Sequence, residues 1–95
     1  MIKYKVLYDP AAINDMKEAC LWYNRKQKGL AKKFTADVRA VAASISINPY
    51  FASEKQGIRK ALCKKFPYSL YYEINEAEQS VSVFAVFHTS RDPLP

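Results

Sequence analysis

The sequence predicts an α+β fold with the element order β-α-α-β-β-β, in which a helical hairpin covers one face of a mainly antiparallel sheet. Three observations lead to this prediction. In the segment from Ile58 to Arg91, successive residues fall alternately on two faces, with the period of two that half-buried strands show. Two earlier segments repeat apolar residues every three or four positions, as amphipathic helices do. A short alternating segment at the N-terminus supplies one more strand, and the second face of the sheet is left open.

The C-terminal half contains three predicted strands joined by short turns. The first covers residues 58–63, and the second covers 68–74 and begins after Pro67, which cannot donate a hydrogen bond to a ladder. The third covers 81–88 and is apolar on both sides. We therefore place this last strand inside the sheet.

The N-terminal segment predicts a strand followed at once by a helix. Alternation from Ile2 to Tyr8 indicates the strand, and Asp9 and Pro10 suit the N-cap and the first helical position. Trp22 lies outside the apolar stripe of this helix, either at the edge of the core or against a partner. The stripe consists of Ala12, Ile13, Met16, Ala19, Cys20 and Tyr23.

A second helix is predicted from Leu30 to Ile47, because its apolar residues recur at steps of three and four. Gly29 before it allows a left-handed turn, so the two helices can pack as a hairpin. Asn48-Pro49 ends the helix. Tyr50 and Phe51 follow in an irregular loop, and we expect both rings to pack beneath the domain.

Length and composition indicate one compact domain over residues 1–95. Of the 95 residues, 49% are apolar and 25% are charged, which is ordinary for a globular chain and argues against disorder. No apolar run is long enough to span a bilayer, and the N-terminus lacks an export signal. We therefore expect a cytoplasmic protein without membrane contact.

The formal net charge is +6, and the basic residues are unevenly distributed along the sequence. Such a charge favours an anionic partner, either a nucleic acid or an acidic protein segment, although a solvated basic surface is the alternative. Two stretches without acidic residues carry most of it: Arg25, Lys26, Lys28, Lys32 and Lys33, and later Lys55, Arg59, Lys60, Lys64 and Lys65.

The two cysteines, Cys20 and Cys63, are read as reduced thiols of the core. Their separation matches no metal-binding motif, and free cysteine is among the most buried residue types. His88 is the single histidine. We therefore expect neither a metal nor a cofactor.

Short motifs spread over the whole chain accompany the predicted order of elements. They are Trp22-Tyr23, the segment from Gly29 to Phe34, Asn48-Pro49, Ile58-Arg59, Phe66-Pro67-Tyr68 with Tyr72, and His88 with Arg91-Asp92-Pro93. In this combination the chain resembles the RelE/ParE-type toxins of bacterial type II toxin–antitoxin pairs. The resemblance implies the fold predicted above and a cognate antitoxin as partner.

The resemblance implies one of two activities, because that family has two branches. The ribonuclease branch enters the ribosomal A site and cleaves mRNA with basic side chains and often a C-terminal Tyr or His. The ParE branch poisons DNA gyrase by contact, without chemistry of its own. Two features favour the ParE branch: Ser69 stands where the ribonuclease branch tends to carry Arg, and the sequence ends at Pro95 without a late Tyr.

His88 and Arg91 are the candidate catalytic residues if the chain is a ribonuclease. Attack by a ribose 2′-hydroxyl needs a base, cations for the phosphorane charge and an acid for the leaving oxygen. The imidazole of His88 suits either proton role, and Arg91 is close enough to share an anionic group with it. The alternative is a structural His88 that holds a backbone carbonyl.

Three strand residues complete the candidates for binding a target or a phosphate. Arg59 is expected on the open face, if Ile58 and Leu62 pack under the helices, and an ion pair with Glu73 is its alternative role. Tyr71 can stack on a base. The full set of binding candidates is Arg59, Lys60, Tyr71, His88 and Arg91.

Two functions of different classes follow from these residues and from the resemblance. We favour a ParE-like growth inhibitor that binds a topoisomerase, DNA gyrase, and is neutralised by its antitoxin. The alternative is a ribosome-dependent mRNA endoribonuclease, and a third hypothesis is a degenerate toxin that only binds its antitoxin. The expected partners are therefore an antitoxin and either gyrase or the ribosome with its mRNA.

Overall fold

A computed structural model of the protein describes residues 3–91. Within this range no helix has the length and apolarity that a membrane span requires. Ile2 of the predicted first strand and Asp92 and Pro93 of the C-terminal motif lie outside the described residues. The elements are β1 (Lys5–Tyr8), α1 (Pro10–Lys26), α2 (Leu30–Ile47), β2 (Ser53–Lys55), β3 (Ile58–Leu62), β4 (Tyr68–Asn75), β5 (Ser80–His88) and a 3-10 turn (Thr89–Arg91).

The five strands form one sheet in the order β1-β5-β4-β3-β2, and the two helices pack on one of its faces. Among the strands of residues 3–91, β1 and β5 form the one parallel pair, and the other neighbouring pairs are antiparallel. The predicted fold class is thus confirmed, as is the position of β5 inside the sheet. We call the face without helices the open face.

The short strand β2 was not predicted, since its residues were assigned to a loop. It pairs with β3 through a tight turn at Gln56 and Gly57, whose φ angles are 55° and 83°. A two-residue hairpin turn of type I′ requires a positive φ angle at both of its central residues. The three-residue strand is too short and too polar for alternation to reveal it.

The second helix has the bounds that the sequence predicts, and Gly29 before it takes the left-handed conformation with φ of 86°. The first helix also begins as predicted, after Asp9. Its buried side is rotated, however. Ala12 and Ala19 are buried, whereas Ile13 is 40% exposed, because the two small residues let α1 approach β5 closely.

A β-bulge interrupts the pairing of β4 with β5. Tyr71 pairs with Ala85 and Tyr72 pairs with Val83, so Phe84 has no partner opposite it. An extra residue of this kind shifts the alternation of the strand that carries it. The sequence pattern alone does not reveal where the shift occurs.

The bulge decides which side chains of β5 reach the core. Strict alternation places Val83 and Val86 on opposite faces, yet both belong to the core under the helices. Phe84 and Phe87 both lie toward Tyr71 on the open face, with ring centroids 6.4 and 5.7 Å from its ring.

The facing of β3 differs from the prediction. Ile58 and Leu62 were expected to pack under the helices, but Leu62 is 62% exposed. Ala61, which is 2% exposed, takes the core position instead and pairs with the fully buried Leu70 of β4. Arg59 shares the side of Ala61 and therefore points toward the helical layer, not toward the open face.

Candidate functional site

A groove of about 530 Å³ lies between α1 and the end of β5. The helix contributes Leu21, Trp22 and Arg25, which follow one another around its exposed side. His88 and Arg91 line the opposite wall. The groove therefore brings together two of the predicted site residues and the tryptophan that the sequence placed outside the apolar stripe.

A hydrogen bond across the two layers fixes the width of this groove. The carboxylate of Asp15 on α1 accepts the backbone N–H of Val86 at 3.0 Å. Val86 follows the bulge, and a disrupted ladder leaves backbone donors that need another acceptor. Asp15 supplies that acceptor and holds the helix against the strand.

The imidazole of His88 is engaged through its Nδ1 atom. The backbone N–H of Ser90 donates to Nδ1 at 3.1 Å, and the Ser90 hydroxyl oxygen lies 2.8 Å from the same atom. An Nδ1 that accepts a hydrogen bond assigns the proton of the neutral ring to Nε2. His88 is thus arranged as a hydrogen-bond donor through Nε2, and it has no free basic nitrogen unless the Ser90 contacts break.

Arg91 is exposed, and its guanidinium carbon lies 5.1 Å from the centre of the Phe87 ring. The cation thus lies over an aromatic face while the side chain remains accessible to solvent. Tyr68 lies at the base of the groove, where burial raises its pKa although the Arg91 charge acts in the opposite direction. Its hydroxyl is therefore a neutral group at physiological pH.

The exposed side of α1 carries an apolar ridge. Leu21 is 62% exposed and Trp22 is 49% exposed, and the Lys26 ammonium lies 4.9 Å from the centre of the indole ring. A second groove, of about 510 Å³, lies on the other side of Leu21 and is lined by Met16 and Cys20 among others. The ridge is thus flanked by a depression on each side, a shape that fits the side chains of a partner segment.

Comparison with known protein families identifies the family of this chain. The family of ParE toxins of type II toxin–antitoxin systems (parDE) matches residues 6–93. The chain belongs to this family. No curated protein sequence matches it.

Two solved structures share the ParE-family fold of this chain. The chromosomal ParDE system of P. aeruginosa is similar with a TM-score of 0.76 and 14% sequence identity, over 90% of this chain and 96% of that one. The RelBE2 toxin–antitoxin complex of Mycobacterium tuberculosis is similar with a TM-score of 0.67 and 20% identity, over 93% of each chain. The resemblance inferred from the sequence is thereby confirmed.

The predicted site residues of this ParE-family chain do not form one cluster. Arg59 pairs with Tyr72, four residues along β4 from Tyr68, and Tyr68 pairs with His88. Arg59 thus lies about 13 Å along the sheet and about 10 Å across it from His88. Lys60 lies on the opposite, open face. The cations of β3 therefore stay away from the groove.

Tyr71 does not present a ring for stacking. It is 1% exposed, because Phe84 and Phe87 flank it on the open face. The expectation that Tyr71 can stack on a base requires an exposed ring and was wrong. On the open face, the aromatic neighbours Phe84 and Phe87 shield the Tyr71 ring from solvent. Ser69, which replaces the Arg of the ribonuclease branch, is also buried.

Arg59 has structural partners in place of a phosphate. Its Nη1 atom donates to the carbonyl oxygens of Tyr50 and Ala52 at 3.2 and 2.8 Å, and its guanidinium carbon lies 5.0 Å from the centre of the Tyr50 ring. The ion pair with Glu73, the alternative role considered for Arg59, does not fit this orientation, since Glu73 belongs to the open side of β4. Arg59 braces the loop that follows α2.

The α1 wall of the groove was not predicted from the sequence. The sequence points to Arg25 only as part of a basic stretch and gives no role to Leu21 or Asp15. One signal was available: Leu21 and Trp22 are adjacent large apolar residues outside the core stripe, and exposed pairs of this kind mark contact surfaces. Asp15 carries no such signal, because a charged residue on a helix surface is ordinary.

Proposed function

We propose that this ParE-family protein is the toxin of a type II toxin–antitoxin pair and inhibits growth by binding DNA gyrase. We propose further that a cognate antitoxin neutralises it. The observation that carries the docking mechanism is the separation of His88 from Arg59 and Lys60. A ribonuclease needs its base, its acid and its cations around one phosphate, and here the strand cations and the imidazole lie in different places.

The state of His88 supports the same conclusion. With Nδ1 accepting from Ser90, the imidazole is arranged to donate a hydrogen bond through Nε2. A donor beside the exposed cation of Arg91 suits recognition of a carboxylate on a protein partner. Removal of a proton from a ribose hydroxyl would require the Ser90 contacts to break first.

The groove and the ridge of α1 support antitoxin binding. Leu21 and Trp22 offer exposed apolar area, and the groove carries the cations of Arg25 and Arg91 beside the carboxylate of Glu18 and that of Asp15, which is bonded to Val86. A partly disordered antitoxin segment that folds on binding can bury the apolar residues and set its acidic side chains against these cations. The affinity of the complex should therefore fall as salt is added.

Purified chain in a gyrase supercoiling assay, together with a primer-extension map of mRNA from induced cells, tests the mechanism. We expect inhibited supercoiling and no codon-phased cuts. His88→Ala and Arg91→Ala should each weaken inhibition by a binding increment of about 1–3 kcal/mol without abolishing it at high expression. Arg39→Ala removes an exposed arginine of α2 that does not line the groove; it is the matched control and should inhibit like the wild type.

One observation favours the ribonuclease as a second candidate, namely that His88 and Arg91 line the same groove. Loss of a proton-transfer group typically costs a hundredfold to ten-thousandfold in rate, which higher expression does not easily offset. Codon-phased cuts that vanish in His88→Ala, with unaffected gyrase, would therefore overturn the docking mechanism. Antitoxin binding without either activity would identify a degenerate toxin.

A further inference from the structure

Two turns meet at one end of the domain, and both carry exposed lysines. The first is the turn around Gly29, which joins α1 to α2, and the second joins β3 to β4. Phe66 of the second turn contacts the rings of Tyr23 and Phe34 beside the first, with ring centroids 5.0 and 5.6 Å apart. We call the exposed lysines on and beside these two turns the basic end: Lys26, Lys28, Lys32, Lys33, Lys64 and Lys65.

The helix α2 sets Lys33 beside the second turn. Asp37 follows Lys33 by four residues, so both side chains lie on the same side of the helix. The Asp37 carboxylate accepts the backbone N–H groups of Lys64 and Lys65 at 3.2 and 2.9 Å. These two lysines therefore extend the basic surface that begins at Lys33. The rest of the second basic stretch of the sequence lies on β2 and β3 and is not part of the basic end: Lys55, Arg59 and Lys60.

The carboxylates of the protein are kept away from the basic end. Asp37 is buried, and three backbone N–H groups donate to it. Glu18 lies eight residues before the end of α1, about 12 Å back along the helix. Since β4 has eight residues, its far end is about 23 Å from the β3–β4 turn. The other carboxylates of residues 3–91 belong to the start of α1, to β2, to β4 and to the turn at its far end: Asp9, Asp15, Glu54, Glu73, Glu76 and Glu78.

The N-terminus of α2 adds to the positive potential of the basic end. Gly29 has no side chain to cap the helix, and the first turn of α2 contains no acidic residue. The unpaired N–H groups and the helix dipole place partial positive charge at this point, where Lys32 and Lys33 follow. Lysines at the positive end of a helix dipole oppose helix formation. A bound anion would offset that repulsion.

The composition of the basic end favours a phosphate backbone over a protein surface. Its six cations are all lysines, which are depleted in protein interfaces but contact phosphates as point charges. Its aromatic residues are not available as anchors of an interface, because Tyr23 and Phe34 are 7% and 1% exposed and pack against Phe66. Trp22 at the border is exposed, but the Lys26 ammonium lies over its ring.

Other exposed rings lie away from the basic end. Tyr50 and Phe51 in the loop after α2 are 47% and 52% exposed, so the prediction that both rings pack beneath the domain was wrong. The carbonyl of Tyr50 accepts from Arg59, which pairs with Tyr72, about 13 Å along β4 from Tyr68. A single strand, which stacks its bases on aromatic rings, thus finds no stacking surface among the lysines. A duplex turns its phosphates outward and fits them.

We infer that the basic end binds the phosphate backbone of duplex DNA without reading its bases, while the groove and the α1 ridge take the antitoxin. The choice of DNA over RNA rests on the proposed function, because gyrase acts on duplex DNA. Contact with the DNA that gyrase holds adds a second attachment, which tightens the hold of the toxin on the enzyme without a new protein contact.

Fluorescence anisotropy with a labelled DNA duplex of random sequence tests this inference over a series of salt concentrations. One variant from each side of the basic end is compared with the wild type: Lys28→Gln/Lys33→Gln and Lys64→Gln/Lys65→Gln. Lys3→Gln/Lys5→Gln is the matched control, because it removes two exposed lysines at the other end of the sheet, where Lys5 pairs with Ser80. Thermal unfolding reports whether each variant is folded.

We expect the wild type to bind the duplex with a dissociation constant of about 1–100 μM near physiological salt, and the affinity to fall steeply as salt is added. Each variant of the basic end should bind about tenfold or more weakly, and the slope of log K against log salt should become shallower by about 2. The control carries the same net charge and should bind like the wild type. Folded variants of the basic end that keep the wild-type affinity and slope would overturn the inference.

A supercoiling assay on the same proteins separates this inference from the proposed function. Wild-type chain that inhibits gyrase but does not bind the duplex would overturn the inference and leave the proposed function standing. Wild-type chain that binds the duplex through the basic end but leaves gyrase unaffected would contradict the proposed target and still support the DNA-binding surface.

Two further measurements decide against other occupants of the basic end. Tighter binding to double-stranded RNA than to the DNA duplex would overturn the choice of DNA. A loss of antitoxin affinity in the folded variants, with unchanged affinity for the duplex, would assign the basic end to an acidic protein segment and overturn the inference.

Discussion

The buried carboxylate of Asp37 on α2 accepts the backbone N–H of Phe66 at 2.9 Å. The same carboxylate accepts the N–H groups of Lys64 and Lys65 at 3.2 and 2.9 Å. Three consecutive donors of the turn between β3 and β4 thus converge on one helical side chain. Because Tyr68 follows this turn and lines the groove, Asp37 links the helical layer to the base of the groove.

Replacement of Asp37 by Asn should destabilise the protein markedly. An amide provides a single neutral oxygen for three donors and sets its own N–H₂ group toward them, so buried donors are left unpaired. We expect the free energy of unfolding to fall by about 1–3 kcal/mol. Denaturation by urea measures this change. Asp9→Asn is the control, because Asp9 is exposed and its side chain makes no capping hydrogen bond; a loss as large as that of Asp37→Asn would show that the N–H contacts do not matter.

The contribution of Asp37 should also depend on pH. Burial acts to raise its pKa, but the three N–H donors and the Lys65 charge outweigh burial, so the pKa lies below its ordinary value of 3.8. A carboxylate with a lowered pKa in the folded state stabilises the protein fully above its unfolded pKa, and this contribution is lost as the pH falls through the folded pKa. The difference in unfolding free energy between wild type and Asp37→Asn should therefore be constant above about pH 5 and shrink below about pH 4. A difference that grows on acidification would contradict the assignment.

Trp22→Ala should weaken antitoxin binding without a large loss of stability. Half of the indole surface is exposed, and exposed tryptophans at the centre of an interface commonly contribute 2 kcal/mol or more, which is about tenfold or more in affinity. Titration calorimetry of the purified pair gives the dissociation constant. Leu62→Ala, on the other face of the protein, should bind the antitoxin like the wild type. Equal affinities of Trp22→Ala and the wild type would exclude the α1 ridge as the antitoxin site.

Arg59→Met should loosen the loop after α2 while keeping most of the side-chain volume. The carbonyls of Tyr50 and Ala52 lose a charged donor, and we expect a loss of about 1–3 kcal/mol in the free energy of unfolding. Chymotrypsin under native conditions should cleave faster next to Phe51 in this variant. Arg39→Met is the control for removal of an arginine charge. Cleavage at the wild-type rate would show that Arg59 does not brace the loop.

The two thiols should differ in reactivity. Burial, with a further contribution from the Asp37 charge, raises the pKa of Cys63 to about 12, whereas Cys20 is only partly buried, with its sulfur 3.6 Å from the Thr35 hydroxyl oxygen. Since the thiolate is the nucleophile, iodoacetamide at neutral pH should modify Cys20 first and leave Cys63 intact until the protein unfolds. Peptide mass spectrometry locates the label. Cys20→Ala protein that is labelled at Cys63 in the folded state would refute this.

The helices and the long strands could be predicted because each has a local signal. The bounds of α2 follow from the spacing of its apolar residues and from Asn48-Pro49, and the start of α1 follows from Asp9-Pro10. The bulge at Phe84 has no such signal, since it depends on the register between two strands. The inverted facing of β3 has the same cause: alternation shows that two faces exist, and only the neighbouring strand decides which one is buried.

The candidate site was predictable only in part. His88 and Arg91 were identified because they lie at the end of a strand and just beyond it and carry functional groups, and they do share a groove. Arg59 is a binding candidate because its residue type suits phosphate binding, but its Nη1 atom donates to the carbonyl oxygens of Tyr50 and Ala52. The convergence of three N–H groups on Asp37 involves backbone atoms, which leave no trace in the identity of the residues that carry them.

The parallel pairing of β1 with β5 has a consequence for biosynthesis. Lys5 meets Ser80 and Val6 meets Val81, so the first strand to leave the ribosome finds its neighbour in the last strand of the sheet. Contacts between such distant segments form late, because closing the long loop between them costs chain entropy before the contacts can stabilise the fold. The groove likewise needs α1 together with His88 and Arg91. A nascent chain whose β5 is still inside the ribosomal tunnel therefore has no groove, and the protein cannot meet a partner there until β5 has emerged.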